Sequence, residues 1–120
     1  MTPPTDPLAA RIAALGRDVR YVAVYAGGGE PVLWARDDLA DASGAESDRY
    51  EELLVNPTLL TLARQRGNID CGGLDYVVVR YGRFFQVIVP RGPGHVSVAL
   101  EPQADLTARA ARIRDLVAAA

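Results

Sequence analysis

From Leu74 onward the chain alternates apolar and polar positions in short blocks: LDYVVVRY, the pair Gly82-Arg83, FFQVIVP, RGPG, HVSVALEP and then ADLTARAARIRDLV. Period-two runs rich in valine and aromatic residues predict strands, and the final block, with Leu106, Ala110, Ile113 and Val117 on one stripe behind Asp105, predicts a capped helix. Taking Gly82-Arg83 as a two-residue turn sets Tyr81 opposite Phe84, Val79 opposite Gln86 and Val77 opposite Ile88. With RGPG as the next loop, Val89 faces Val96, Val87 faces Val98 and Phe85 faces Leu100. Side chains alternate between the faces of a sheet, so Tyr76, Val78, Phe85, Val87, Val89, Val96, Val98 and Leu100 form a core face. The other face is apolar on the first two strands (Val77, Val79, Tyr81, Phe84, Ile88) and polar on the third (His95, Ser97, Ala99, Glu101). An apolar second face calls for a cover, either the middle helix carrying Leu59 and Leu62 or a partner chain. The strand 74 to 81 has no proline and few charges to block edge pairing.

The first half of the chain is read in the same way. Thr5 or Asp6 caps a short helix with Pro7 in its first turn and Leu8, Ile12 and Leu15 at helical spacing, ended by Gly16. Val19 to Tyr25 and PVLWAR form a hairpin around Gly27-Gly28-Gly29, with Pro31 suited to an edge strand. Residues 37 to 48, DDLADASGAESD, predict a solvated acidic loop. Asp48 and Glu51 have capping-box spacing ahead of a helical turn. Asn56-Pro57 then restarts the helix after a break, with a stripe of Leu59, Leu60, Leu62 and Ala63 up to Arg66-Gly67, and GNIDCGG follows as a loop.

A length of 120 residues fits one domain, 1–120. No apolar run approaches the roughly eighteen residues of a membrane span, and the N-terminus lacks the charge pattern of a signal peptide, so a soluble cytoplasmic protein with no membrane partner is expected. All thirteen basic residues are arginine, which together with the abundant alanine reads as coding bias of a high-GC bacterium. Net charge is −5 over residues 1 to 60 and +3 over residues 61 to 120, and the arginines are scattered, which argues against a nucleic-acid partner.

Candidate chemistry is sparse. Gly27-Gly28-Gly29 precedes a strand and has no Lys-Ser/Thr pair after it, so it reads as a hairpin turn and not as a phosphate loop. His95 reads as a surface histidine, and Cys71 as a small buried or half-buried thiol. The acidic region lacks the alternating ligands of a calcium loop. Arg83 at a turn tip is either a plain turn residue or an arginine offered to a partner nucleotide; Trp34 is either core or a binding anchor. Nucleophile, base and metal ligands do not occur as a set, so neither an enzyme nor a cofactor is expected.

The order helix, two strands, helix, three strands, helix, with the glycine turn in its first hairpin and GLDYVVVRYGRFFQVIVPRGPGHVSVALEP, resembles the Roadblock/LC7 family of the profilin-like fold. The resemblance spans about Leu8 to Val117. It implies an α/β architecture of the α+β type: a five-stranded antiparallel sheet, order 2-1-5-4-3, with helices on both faces. It further implies a homodimer paired through the strand 74 to 81, with Leu59, Leu62, Tyr76, Val77, Val79 and Tyr81 at or near the interface; Arg83 and Trp34 stay, on the reading of the residues alone, as the candidate contacts to a partner. By resemblance the function is that of a non-enzymatic adaptor or regulator of a small Ras-like GTPase in bacterial signalling, polarity or motility. The alternative is a small-ligand sensor with a sheet-lined pocket near Tyr21, Tyr25 and Trp34.

Overall fold

Asp6 opens the first helix, α1 (Pro7–Ala13), its carboxylate accepting from the backbone N–H groups of Leu8 and Ala9 at 3.0 and 3.1 Å. Pro7 occupies the first turn, where a backbone N–H would have no helical partner. The computed structural model describes residues 3–39 and 44–120. Residues 40–43, within the expected acidic loop, lie outside the described residues.

Five strands follow the valine-rich runs: β1 (Val19–Tyr25), β2 (Val32–Ala35), β3 (Val77–Arg80), β4 (Phe85–Arg91) and β5 (Gly94–Leu100). They form one antiparallel sheet in the order β2-β1-β5-β4-β3, with β2 and β3 at its edges. The register in β3 to β5 is the one that alternation predicts: Val77 opposes Ile88, Val79 opposes Gln86, Phe85 opposes Leu100, Val87 opposes Val98 and Val89 opposes Val96. Tyr81 N–H donates to the Phe84 carbonyl at 3.0 Å, closing the two-residue turn. The strand expected over 74 to 81 is shorter, and the ladder between β4 and β5 runs on through Arg91 and Gly94, so only Gly92 and Pro93 form the turn where RGPG was expected.

The core face is also the predicted one. Val87, Val89, Val96, Val98 and Leu100 are buried with Ile12 of α1 and with Ile113 and Val117 of α4 (Leu106–Ala119), while Tyr76, Val78 and Phe85 pack at its margin. Asp105 caps α4 through its side chain. Arg109 is half-buried and pairs with Asp18 at 2.9 Å, tying α4 to the start of β1.

The opposite face departs from expectation. The middle helix has no break: α2 (Ala45–Tyr50), a π turn (Glu51–Val55) and α3 (Asn56–Asp70) are one continuous run. Its N-cap is Gly44 and not Asp48, so the end of the supposed acidic loop is already helical, and it passes through the expected loop residues Gly67 to Asp70. Pro57 supplies the physical reason for the π turn. Without an N–H it cannot bond to the carbonyl four residues back, and its ring crowds that carbonyl. The helix accommodates it by widening, and the N–H of Asn56 reaches five residues back, to Glu51. Asn56 is therefore a residue within the helix and not a cap.

Two glycines carry steric demands on this frame. A Cβ on Gly94 would sit 1.8 Å from the Tyr25 carbonyl oxygen, where β5 meets the end of β1, whereas one on Gly28 would meet nothing within 4 Å. Gly94→Ala is expected to lower the unfolding free energy by about 3 kcal/mol, as overpacking against backbone does, while Gly28→Ala stays within about 0.5 kcal/mol of wild type. Urea denaturation of both variants checks this; equal costs would show that the β1–β5 approach is not tight.

Candidate functional site

The inward stripe of the middle helix is polar where it crosses the sheet. Glu52 and Asn56, four residues apart across the π turn, are both 0 % exposed, and Leu60 continues the stripe. The expected covering residues do not do this work: Leu59 is half-buried and Leu62 points to solvent. Apolar positions four and three residues apart mark a helix face but do not say whether that face looks inward.

Glu52 reaches the sheet and is held there by four groups. Tyr21 OH and Ser97 Oγ donate to its Oε2 at 2.8 and 2.7 Å. Asn56 Nδ2 donates to Oε1 at 2.9 Å, and His95 Nε2 lies 2.8 Å from the same oxygen. A carboxylate removed from water is costly unless its lone pairs are met, and here each oxygen receives two partners. His95 is thus 1 % exposed, not the surface histidine expected from its polar strand, and Tyr25 packs a tilted ring 5.5 Å from it. Burial, then the Glu52 charge, pushes the Tyr21 phenol far above the ordinary tyrosine range.

Beside this tie lies a cavity of about 710 Å³ between α2, the π turn and the sheet. Its floor is one row across four strands, Ala35, Tyr21, Ala99 and Gln86, paired in register. The two alanines leave the space that larger side chains would fill. A bulge shapes one wall: β1 advances from Val19 to Tyr21 while β5 moves only from Leu100 to Ala99, and the extra residue is Arg20. Arg20 binds Glu101 at 3.2 Å and lies over the Phe84 ring at 5.6 Å. Glu101 also accepts from Arg36 at 2.8 Å, which fastens the end of β2 to the end of β5.

The roof is acidic. Asp48 and Glu51 face the cavity, and no arginine among the described residues pairs with either. Burial and then the Glu52 charge raise the Asp48 carboxyl above its usual range. Burial also raises Glu51, against the opposing hydrogen bond from Tyr81 OH at 3.2 Å. In return the Tyr81 phenol, through burial and then the Glu51 charge, is pushed up to about 12. The acidic region is therefore partly folded into the protein and not the solvated loop that its composition suggests.

The remaining sequence candidates scatter. Arg83 lines the cavity at the β3–β4 turn, Tyr81 adjoins it, and Trp34 packs at the margin of the main core. Of the aromatic residues expected around a ligand pocket, Tyr21 lines this cavity and Tyr25 and Trp34 do not. Val77 and Val79 are half-buried on β3, and Tyr76 packs toward the α1 and α4 side. Cys71 is exposed just beyond α3, contrary to the buried thiol expected, because the helix continues to Asp70 and leaves it on the surface. No group of three His, Cys, Asp or Glu residues among the described residues is arranged to hold a metal, and no described helix is long and apolar enough to cross a membrane.

Residues 8–118 match the family model described as a domain of unknown function, DUF7522. The chain belongs to the DUF7522 family. No curated protein matches it. Among solved structures, this DUF7522 chain is similar to a Roadblock/LC7 domain from Streptomyces avermitilis, with a TM-score of 0.72 at 18 % identity over 97 % of this chain and 93 % of that one. The shared architecture is the five-stranded sheet in the order 2-1-5-4-3 with its helices.

The Glu52 tie predicts a graded loss of stability. Glu52→Ala strands the partners of a buried carboxylate and is expected to cost about 3 to 5 kcal/mol, whereas Ser97→Ala, which removes one of four partners, costs about 1 kcal/mol. Chemical denaturation checks both, and a Glu52→Ala protein as stable as wild type would overturn the assignment.

A pH effect follows from Asp48. Its pKa in the folded protein lies above the unfolded value, so the folded state binds that proton more tightly. Lowering pH through that range therefore favours folding. The stability of wild type minus that of Asp48→Asn should rise as pH falls from about 7 to about 4, measured by urea titration at each pH; a constant difference would contradict it.

Proposed function

We propose that this protein is a non-enzymatic homodimeric adaptor that docks a small Ras-like GTPase in bacterial signalling, polarity or motility. The observation that carries the reading is an apolar stripe on the outside of the middle helix, beside an open sheet edge. Leu54, Leu62 and Ile69 are 51, 61 and 75 % exposed. Large aliphatic side chains left in water along one helix are unusual for a chain with no partner. The helix shows solvent an apolar side because its inward side is committed to Glu52, Asn56 and the close approach of Gly67 to the Gly73 carbonyl.

The neighbouring edge strand supports the same reading. Among the described residues β3 has β4 as its one neighbour, and its valines Val77, Val78 and Val79 carry neither a proline nor a bulge that would discourage pairing. A second copy meeting β3 edge to edge would extend the sheet and bring two middle helices together, covering Leu62 and its neighbours. Tyr81, half-buried at the end of β3, would lie at the rim of such a seam. The likeness to a Roadblock/LC7 domain supports the fold that this arrangement requires, and the GTPase partner is this reading's own addition.

Sedimentation or light scattering at micromolar concentration is expected to give a dimer. Leu62→Asp, at a solvent-exposed site, should weaken self-association at least tenfold without loss of folding, and Val79→Lys should do the same through the strand edge. A wild-type protein that stays monomeric, or a dimer indifferent to both substitutions, would sink the dimer. For the partner, mixing with the small Ras-like GTPases of the parent genome should yield a co-eluting complex; failure of all of them to bind would remove the GTPase and leave the dimer standing.

A further inference from the structure

The cavity under the π turn has walls of opposite character that no dimer requires. Its roof presents Asp48 and Glu51 without an arginine partner among the described residues, and its floor is small and apolar at Ala35 and Ala99. Tyr81 and Phe84, with ring centroids 5.4 Å apart, stand at one end. One more observation points to an occupant. Gln86, on the floor row, is 2 % exposed, yet among the described residues its Nε2 has no hydrogen-bond partner. Buried amide donors are rarely left unpaired in a finished site.

We propose that this cavity binds a small organic cation, an ammonium on a flat apolar body that also carries a hydrogen-bond acceptor. The ammonium lies beneath Asp48 and Glu51, where it meets two carboxylates that are partly withdrawn from water and repel one another. The apolar body rests on Ala35 and Ala99 against the Tyr81 and Phe84 rings, and the Tyr81 ring face also attracts positive charge. The acceptor, a carbonyl oxygen, takes the free N–H of Gln86. A volume of about 710 Å³ lies within the ordinary range of small-molecule sites. An anionic ligand is disfavoured by the roof, and both arginines of the lining are engaged, Arg20 with Glu101 and the Phe84 ring and Arg83 with a partner of its own.

Four probes that differ in charge and in the acceptor test the assignment by calorimetry and thermal shift on the full chain. L-Phenylalaninamide supplies all three features, phenethylamine lacks the carbonyl, 2-phenylethanol lacks the charge, and 3-phenylpropionate reverses it. Saturable binding is expected in that order of strength, with the anion weakest. Asp48→Asn combined with Glu51→Gln should weaken phenylalaninamide at least tenfold and leave 2-phenylethanol unchanged. Gln86→Leu should abolish the preference of phenylalaninamide over phenethylamine, and Ala35→Trp, which fills the floor from an exposed edge strand, should abolish binding of every probe. The proposal is overturned if none of the cations binds at millimolar concentration, if the anion binds as well as they do, or if the double substitution changes nothing. None of these variants touches Leu62 or Val79, so failure here leaves the dimer test unaffected.

Discussion

A single carboxylate fixes how the middle helix sits on the sheet. Glu52 is out of contact with water and takes donors from β1, β5 and its own helix. Burying a charge is unfavourable in itself, so this contact adds less to total stability than its four partners suggest. Its effect is on specificity: the helix can settle in one rotation and one position along the sheet, because any other leaves the carboxylate, Tyr21, Ser97 and His95 unpaired in a dry interior. Ordinary apolar packing, as on the α1 and α4 side, tolerates small slips more readily.

That tie also explains why a cavity survives beside it. Leu60 is buried further along the helix, while at the α2 end the contact is made by long polar side chains above a floor of alanines. The bulge at Arg20 turns a charged residue toward the same face, and Glu101 anchors it together with Arg36. The sheet end is thus stiffened by ion pairs of low exposure, and the space above it is kept open without a collapsing apolar layer.

The strands from Val77 to Leu100 were legible because alternation and two short turns leave little freedom of register, and the cap at Asp105 because a carboxylate at a helix start has one evident use; at the first helix the sequence left Thr5 and Asp6 open, and Asp6 is the cap. The tie at Glu52 was not, for a physical reason. Its members lie 31, 43 and 45 positions apart along the chain, and each taken singly is a polar residue of a type that usually faces water. A signal was present: His95 and Ser97 share one strand face whose row-mates are apolar, while Glu52 and Asn56 share a helix face, so two polar pairs each required a buried partner. Leu59 and Leu62 mark a competing helix face, since an apolar stripe points inward unless something better occupies the inner side.

The π turn has a consequence for how this helix can vary. One extra residue is taken up between Glu51 and Val55, so α2 and α3 are out of phase with a regular helix by about 100°. Removing a residue there, or relieving the constraint at Pro57, would not merely shorten or straighten the helix. It would turn the whole of α2 about its axis relative to α3, carrying Asp48 off the cavity while Asn56 and Leu60 stayed in place. The segment behaves as a gear tooth between two surfaces: the one on α2 that roofs the cavity through Asp48 and the one on α3 that grips the sheet through Asn56 and Leu60. A change of a single residue in length would put those two surfaces out of step, though every side chain on them remained the same.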